Sequence, residues 1–106
     1  MNYVLVHTTL PDEDTARALA RALVGSRLAA CVTIGTPVES LYHWQGAIEN
    51  AREVPLTAKT RADRFADVAA AIAAQHPYEL PEILAVPIVD GSADYLAWID
   101  AAVGPR

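Results

Sequence analysis

The chain has 106 residues, a mass of 11.4 kDa and a formal net charge of −5 at pH 7. Hydrophobic residues make up 53% of it and charged residues 20%, which is typical of a globular domain and argues against disorder. The length suits one compact domain over residues 1–106, and the acidic balance argues against a nucleic-acid partner. The single cysteine, Cys31, excludes an intrachain disulfide and a paired-cysteine metal site.

The apolar runs are too short for a membrane helix. The longest, residues 83–89, falls far below the ~20 residues that such a helix needs. The first strand-like stretch also lacks the basic flank of a signal peptide. We therefore expect a cytoplasmic protein without a membrane partner.

The first third of the chain predicts a strand, a helix and a second strand. Residues 2–9 are rich in β-branched and aromatic side chains, as in a strand covered on both faces. The acidic run that follows favours a helix N-terminus, and Gly25 favours the helix end. Between them five apolar residues recur at helical spacing: Ala16, Leu19, Ala20, Leu23 and Val24. Small apolar residues at 27–35 predict the second strand, with a break at residues 35–37.

Residues 38–60 predict a long β-hairpin. Alternation in its first arm puts four side chains on one face: Val38, Ser40, Tyr42 and Trp44. Gln45 and Gly46 suit a tight turn, after which residues 47–60 return. At ~3.3 Å per residue the hairpin is longer than a single helical layer can cover, so its far end is expected to need another partner. Pro55 lies inside the returning strand and predicts a bulge there.

The remainder predicts a helix, a strand and a short terminal helix. Thr60 is expected to cap the first of these helices, with Asp63 completing a capping box, and Pro77 to end it. Residues 81–89 predict a strand in which Pro87 indicates an edge or a bulge. The terminal helix carries an apolar stripe of four residues: Tyr95, Leu96, Ile99 and Val103.

The order β-α-β-β-α-β with a terminal helix predicts an α+β fold. Right-handed crossovers turn two βα units joined by a hairpin into a ferredoxin-like βαββαβ sandwich. This sandwich has one sheet with two helices on one face and the strand order 4-1-3-2. The other face of the sheet and the overhanging hairpin are left for another subunit.

The sequence HPYELPEI, residues 76–83, concentrates candidate functional side chains. The imidazole of His76 suits copper or zinc, and Glu79 and Glu82 offer oxygen ligands. Spacing alone does not make these three residues a recognised coordination set.

Two other interpretations of the same segment stay open. In a structural one, Pro77 ends the helix, Tyr78 fills the edge of the core and Pro81 starts the strand. In the other, the segment contributes to a polar pocket shared with another subunit, in which Lys59 supplies the cation.

The other cysteine and histidine positions carry weaker signals. Cys31 lies among small apolar residues and is interpreted as a buried hydrophobe rather than a metal thiolate. His7 and His43 have no partners at ligand spacing and are interpreted as surface or interface polar groups.

Five blocks of the chain resemble the CutA divalent-cation tolerance proteins in order and spacing. They cover nearly the whole chain: RLAACVT (27–33), SLYHWQG (40–46), KT (59–60), HPYELPEI (76–83) and YLAW (95–98). The resemblance implies a ferredoxin-like subunit in a tight homotrimer, similar in architecture to the PII signalling proteins, which bind small ligands in clefts between subunits. It also implies that the long hairpin crosses a subunit boundary, with Tyr42 and Trp44 in the trimer interface.

The resemblance further implies a site. His76 matches a family histidine implicated in binding copper, so copper(II) or another divalent cation is an expected, weak ligand. Four residues are expected to line the cleft between subunits: Lys59, Tyr78, Glu79 and Glu82. Gln75 and Thr8 stand where some members carry a second histidine and a cysteine, which weakens the expected affinity for copper.

Alternative function classes have less support in the residues. A small ferredoxin-like enzyme needs an oxyanion clamp beside a nucleophile or base, and spacing assembles no such pair. RNA binding through the sheet is disfavoured by the charge and by the lack of an aromatic-glycine motif. We therefore expect a non-enzymatic protein of divalent-cation tolerance or PII-like signalling, with small-metabolite sensing as the alternative.

Overall fold

Five antiparallel strands and three α-helices make up residues 2–105, the part of the chain that the computed structural model describes. The elements are β1 (Tyr3–Leu10), α1 (Glu13–Gly25), β2 (Cys31–Ile34), β3 (Val38–Trp44), β4 (Ala47–Arg61), α2 (Phe65–Gln75), β5 (Leu84–Pro87) and α3 (Ala93–Ala102). A single turn of 3-10 helix, Ala62–Arg64, joins β4 to α2. Over the described range, no helix is long and apolar enough to cross a membrane.

The sheet has the order β2-β4-β1-β5, and β3 continues the pairing along β4 beyond β2. This confirms the predicted order 4-1-3-2, since β4 and β5 are the third and fourth predicted strands. Pro87 lies in an edge strand, as its missing N–H requires. The second strand is shorter than predicted because residues 28 and 29 close the end of α1 instead, both donating to the carbonyl of Leu23.

The core lies between α1, α2 and one face of the sheet. Even-numbered residues of β1 and β4 point into it, because successive side chains of a strand alternate between faces. The largest apolar residues of this core that have no solvent exposure are Val6, Leu10, Leu19, Leu23, Val68 and Ile72. Odd-numbered residues of the same strands point to the other face, which carries the features of functional interest.

Pro55 fits into β4 without the predicted bulge. The register between β1 and β4 continues through the Thr9–Pro55 pair. The carbonyl of Pro55 accepts from the N–H of Gly35 at 2.9 Å, so the proline nitrogen faces the same edge of the strand. At that edge residues 54–55 lie opposite residues 35–37, between the β2 and β3 ladders. The prediction was wrong because the extra residue lies among residues 35–37 of the opposite arm and not in β4. Gly35 packs closely there, since a Cβ on it would come within 2.8 Å of the Pro55 ring.

Thr60 belongs to β4 and is not the predicted helix cap. It is fully buried, and its hydroxyl donates to the carbonyl of Leu28 at 2.6 Å. The strand continues to Arg61, and α2 begins only at Phe65, after the 3-10 turn. The cap prediction was wrong because the Thr60 hydroxyl is used elsewhere: it donates to the carbonyl of Leu28, just beyond the end of α1. This contact joins distant parts of the chain, so local sequence does not show it.

Two arginines hold the terminal helix. Arg61 is 7% exposed, and its guanidinium donates to three carbonyls at 2.9–3.3 Å: those of Asp100, Val103 and Gly104. Arg27 donates to the carbonyls of Ala101 and Ala102. The last carbonyls of a helix lack partners within it, so these side chains supply the missing donors. Of the predicted apolar stripe Ile99 and Val103 are buried, whereas Tyr95 remains 41% exposed.

The hairpin arm, residues 38–53, extends beyond the helices. The molecule measures 45 × 26 × 23 Å along its principal axes. Five large apolar side chains of the arm are 37–70% exposed: Val38, Leu41, Tyr42, Trp44 and Ile48. The helical layer therefore leaves this arm uncovered, as the length of the hairpin predicted.

We expect Arg61→Ala to lower the free energy of unfolding by about 3 kcal/mol, because three carbonyls at the end of α3 would lose charged donors. Arg17→Ala is the matched control, since the Arg17–Asp14 ion pair is exposed and should contribute less than about 0.5 kcal/mol. Urea unfolding of both variants measures the difference. Equal losses would contradict the role given to Arg61.

Candidate functional site

A groove of about 760 Å³ lies between the hairpin arm and the corner segment, residues 76–83. Aromatic rings and carboxylates dominate its walls. The rings are those of Tyr42, Trp44 and Tyr78, and the carboxylates are those of Glu53, Glu79 and Glu82. The structure thus brings together five of the residues that the sequence singled out and adds Glu53.

Strand register explains why Glu53 faces the groove. Glu53 lies opposite Val38, and Tyr42 lies opposite Glu49, in the β3–β4 ladder. Directly opposed residues share a face of the sheet, so Glu53 lies on the face that carries Tyr42 and Trp44. Glu53 was not among the residues predicted from the sequence, although the alternation of β3, continued past the turn at residues 45–46, places it on this face.

Glu53 is a buried acid at the base of the groove. It is 8% exposed, and its carboxylate accepts a hydrogen bond from the hydroxyl of Thr9 at 3.1 Å. Burial, and then the neighbouring Glu53 carboxylate, raises the pKa of Tyr78 to about 12. Tyr78 therefore remains a neutral hydrogen-bond donor at physiological pH.

His76 fixes the corner segment to the end of β1. Its Nε2 lies 2.6 Å from the carbonyl oxygen of Thr9, and its Nδ1 lies 3.2 Å from the backbone nitrogen of Tyr78. A carbonyl only accepts and an amide only donates, so the ring carries its proton on Nε2. The β1–β5 ladder ends at the His7–Leu84 pair. Beyond that pair, the imidazole of His76 supplies the donor for the backbone carbonyl of Thr9.

The residues of a single chain do not fit a preassembled metal site. Both ring nitrogens of His76 are hydrogen-bonded, so a metal would have to displace one of these bonds. Thr8 is 1% exposed within the core. In the region covered by the structure, no group of three or more His, Cys, Asp or Glu residues could hold a metal ion.

Lys59 lies away from the groove of its own chain. It is six residues along β4 from Glu53, which corresponds to about 20 Å of strand. Its ammonium donates to the hydroxyl of Tyr95 at 3.2 Å and lies 5.3 Å from the centroid of that ring. The bond to Tyr95 raises the pKa of Lys59. A contribution of Lys59 to the groove would have to come from another subunit.

Cys31 and His7 lie away from the groove, whereas His43 is among the residues that line it. Cys31 pairs with Lys59 across β2 and β4 and is partly buried. His7 is hydrogen-bonded through Nδ1 to the hydroxyl of Thr57 at 2.9 Å, and His43 is exposed on the hairpin arm.

The fold and the groove together define the class of ferredoxin-like α+β domains in which an overhanging hairpin forms one wall of a ligand-sized groove. A family model described as CutA1 divalent ion tolerance protein matches residues 4–102. A divalent-cation tolerance protein CutA from Yersinia pestis (strain Pestoides F) is 41% identical over 102 residues, which cover 96% of this chain and 86% of the relative.

Solved structures agree with this match. A divalent cation tolerance protein (Cut A1) from Thermus thermophilus superposes with a TM-score of 0.93 at 41% identity, covering 96% of this chain and 99% of that one. CutA1 from Oryza sativa superposes with a TM-score of 0.96 at 31% identity, covering 100% and 97%. The chain therefore belongs to the CutA1 divalent ion tolerance family, which confirms the resemblance seen in the sequence.

The raised pKa of Tyr78 predicts a loss of stability at alkaline pH. In the unfolded chain the phenol titrates near its ordinary pKa of 10.0, whereas in the folded protein it titrates near 12. Between these values the unfolded state binds fewer protons, so stability falls as the pH rises. Tyr78→Phe should remove this component of the slope, and Tyr42→Phe is the control.

The measurement is the urea midpoint as a function of pH between about 9 and 12. Part of the slope should survive in Tyr78→Phe, because the hydroxyl of Tyr3 donates to Asp100 and its pKa is raised as well. An alkaline slope identical to that of the unaltered protein would contradict the environment assigned to Tyr78.

Proposed function

We propose that the protein acts as a homotrimer in divalent-cation tolerance, with a PII-like architecture, and that it binds a ligand rather than catalysing a reaction. The observation that carries this proposal is the uncovered hairpin arm, which forms one wall of a groove beside the corner segment. Membership in the CutA1 family supports the link to divalent cations.

Assembly follows from what a single chain leaves exposed. The groove-facing side of the arm carries Tyr42 and Trp44, and its other side carries Leu41 and Ile48, which are 68% and 70% exposed. Contiguous exposed apolar surface of this kind marks contact with another protein. Copies that pack around a closed axis would cover both sides of the arm and the unpaired strand edges. The number of three subunits rests on the resemblance to the CutA proteins.

In the trimer we propose that the groove becomes a cleft between subunits, lined by Tyr78, Glu79 and Glu82. A wall supplied by a second copy would close the groove, which is open along the hairpin arm. Lys59 would lie at the subunit boundary. Recognition of a small metabolite in this cleft is the alternative to direct binding of a metal ion, and it is favoured by the volume of about 760 Å³.

Trp44→Asp should weaken trimer assembly by at least about tenfold, because a charge would replace a large aromatic group in a desolvated interface. Val24→Asp places the same charge on an apolar residue of α1 that is 45% exposed and lies away from the arm, and it is the matched control. Analytical ultracentrifugation across a concentration series measures both. An intact and equally stable Trp44→Asp trimer would refute the placement of Trp44 in the interface.

Copper(II) should bind weakly, and its binding should depend on His76. The reason is that coordination has to displace a hydrogen bond to Thr9 or Tyr78. Calorimetric titration of the unaltered protein and of His76→Ala measures the loss, and His7→Ala is the control for an imidazole outside the groove, bonded to Thr57. Equal affinities in all three proteins would exclude His76 as a ligand without bearing on the trimer.

The proposed lack of catalysis is open to a direct test. Hydrolase and isomerase substrates can be screened with the purified protein and with a groove variant such as Glu82→Gln. Turnover that disappears in this variant would replace the binding function with an enzymatic one.

A further inference from the structure

The ammonium of Lys59 lacks a carboxylate partner within its own chain. The ion pairs of the described residues do not include it, and its hydrogen bond goes to the neutral phenol of Tyr95 at 3.2 Å. An ammonium has three N–H donors, so two of them remain for other partners. The positive charge of Lys59 is therefore held in place by Tyr95 but is not compensated.

Two exposed aromatic rings accompany this charge. Tyr95 is 41% exposed and Trp98 is 46% exposed, and the centroids of their rings lie 5.3 Å apart. We call Lys59, Tyr95 and Trp98 together the α3 patch. Tyrosine and tryptophan that combine an apolar body with a polar tip are typical of surfaces that contact another protein.

The groove carries the opposite charge. Three carboxylates line it, and the lining residues that the structure describes include no lysine or arginine. Two of these acids, Glu79 and Glu82, are exposed and take part in none of the ion pairs of the described residues. Lys59 of the same chain is too distant to compensate them, since six residues of β4, about 20 Å, separate it from Glu53 at the base of the groove.

We infer that the α3 patch of the next copy of the chain is the wall that closes the groove, with the ammonium of its Lys59 paired with the carboxylates of Glu79 and Glu82. The inference rests on the proposed trimer and names the surfaces that meet in it. Two different patches that complement each other suit a head-to-tail contact. Such contacts close into a ring in which every copy gives one patch and receives one.

Self-pairing of either patch is electrostatically unfavourable. Two α3 patches that faced each other would bring two Lys59 ammonium groups together, and two grooves would bring their carboxylates together. Like charges that meet in an interface oppose binding, whereas opposite charges fix the register of the partners. The charge distribution of the chain therefore favours the contact between groove and α3 patch over a symmetric contact of like surfaces.

Charge reversal tests the pairing. We expect Lys59→Glu, and separately the double variant Glu79→Lys/Glu82→Lys, to raise the protein concentration at which half of the trimer dissociates at least about tenfold. Combining all three reversals restores opposite charges and should bring this concentration back to within about threefold of the unaltered protein. Arg21→Glu is the matched control, since it reverses one exposed positive charge on α1 and should leave assembly unchanged.

The measurement is analytical ultracentrifugation at low ionic strength, where charges are least screened, with enough urea to bring the unaltered trimer into equilibrium with its subunits. Circular dichroism of the same samples checks that each variant is folded.

Cross-linking tests the placement without depending on affinity. Cys31 is first replaced in Cys31→Ser, because it lies opposite Lys59 in the β2–β4 ladder. In this background Lys59→Cys/Glu82→Cys, treated with a short bismaleimide at low protein concentration, should give linked species of two and three chains on a denaturing gel. Arg21→Cys/Glu82→Cys is the control and should remain a single chain.

The outcomes separate two failures. Trimers that dissociate equally in the unaltered protein and in both reversal variants, or a loss that the combined variant does not restore, overturn the pairing and leave the proposed function standing. An unaltered protein that is monomeric at all concentrations overturns the proposed trimer itself. If Lys59→Glu does not fold, the cross-linking decides, and the absence of linked chains from a trimeric sample overturns the inference.

Discussion

The length of β4 sets the constraint on which the rest of the structure depends. Its 15 residues span about 45 Å, whereas the 13 residues of α1 span about 20 Å. The helical layer can therefore cover only the half of β4 that pairs with β1 and β2. The other half pairs with β3 alone, and its residues other than Ala51 and Glu53 are exposed. The exposed apolar side chains, the groove and the proposed need for further subunits all follow from this mismatch.

Thr9 connects the two walls of the groove. Its carbonyl accepts from His76, which holds the corner segment, and its hydroxyl donates to Glu53, which lies on the hairpin arm. Hydrogen bonds to buried partners of this kind are costly to leave unmade. The geometry of the groove is therefore coupled to the end of β1. There the ladder between β1 and β5 has ended, and the imidazole of His76 is the partner of the Thr9 carbonyl.

The distribution of basic side chains leaves the groove acidic. The chain has eight lysines and arginines against thirteen acids, and several of the basic groups are engaged at the other end of the sheet. Arg27 and Arg61 bind carbonyls at the end of α3, and Lys59 lies against Tyr95. These contacts compensate the carbonyl end of the terminal helix. None of these three basic residues is among those that line the groove.

The sequence by itself determined the order of the elements, the strand order, the face that carries Tyr42 and Trp44, and the family, because periodicity and local motifs depend on neighbouring residues. Tertiary structure alone decided which distant groups meet. It placed His76 against a carbonyl 67 residues away and gave Glu53 the hydroxyl of Thr9 as a donor. It also moved the irregularity expected at Pro55 to the facing arm and removed Thr60 from the helix cap. These outcomes depend on which buried polar group lacks a partner after the sheet has formed, and local sequence does not record that.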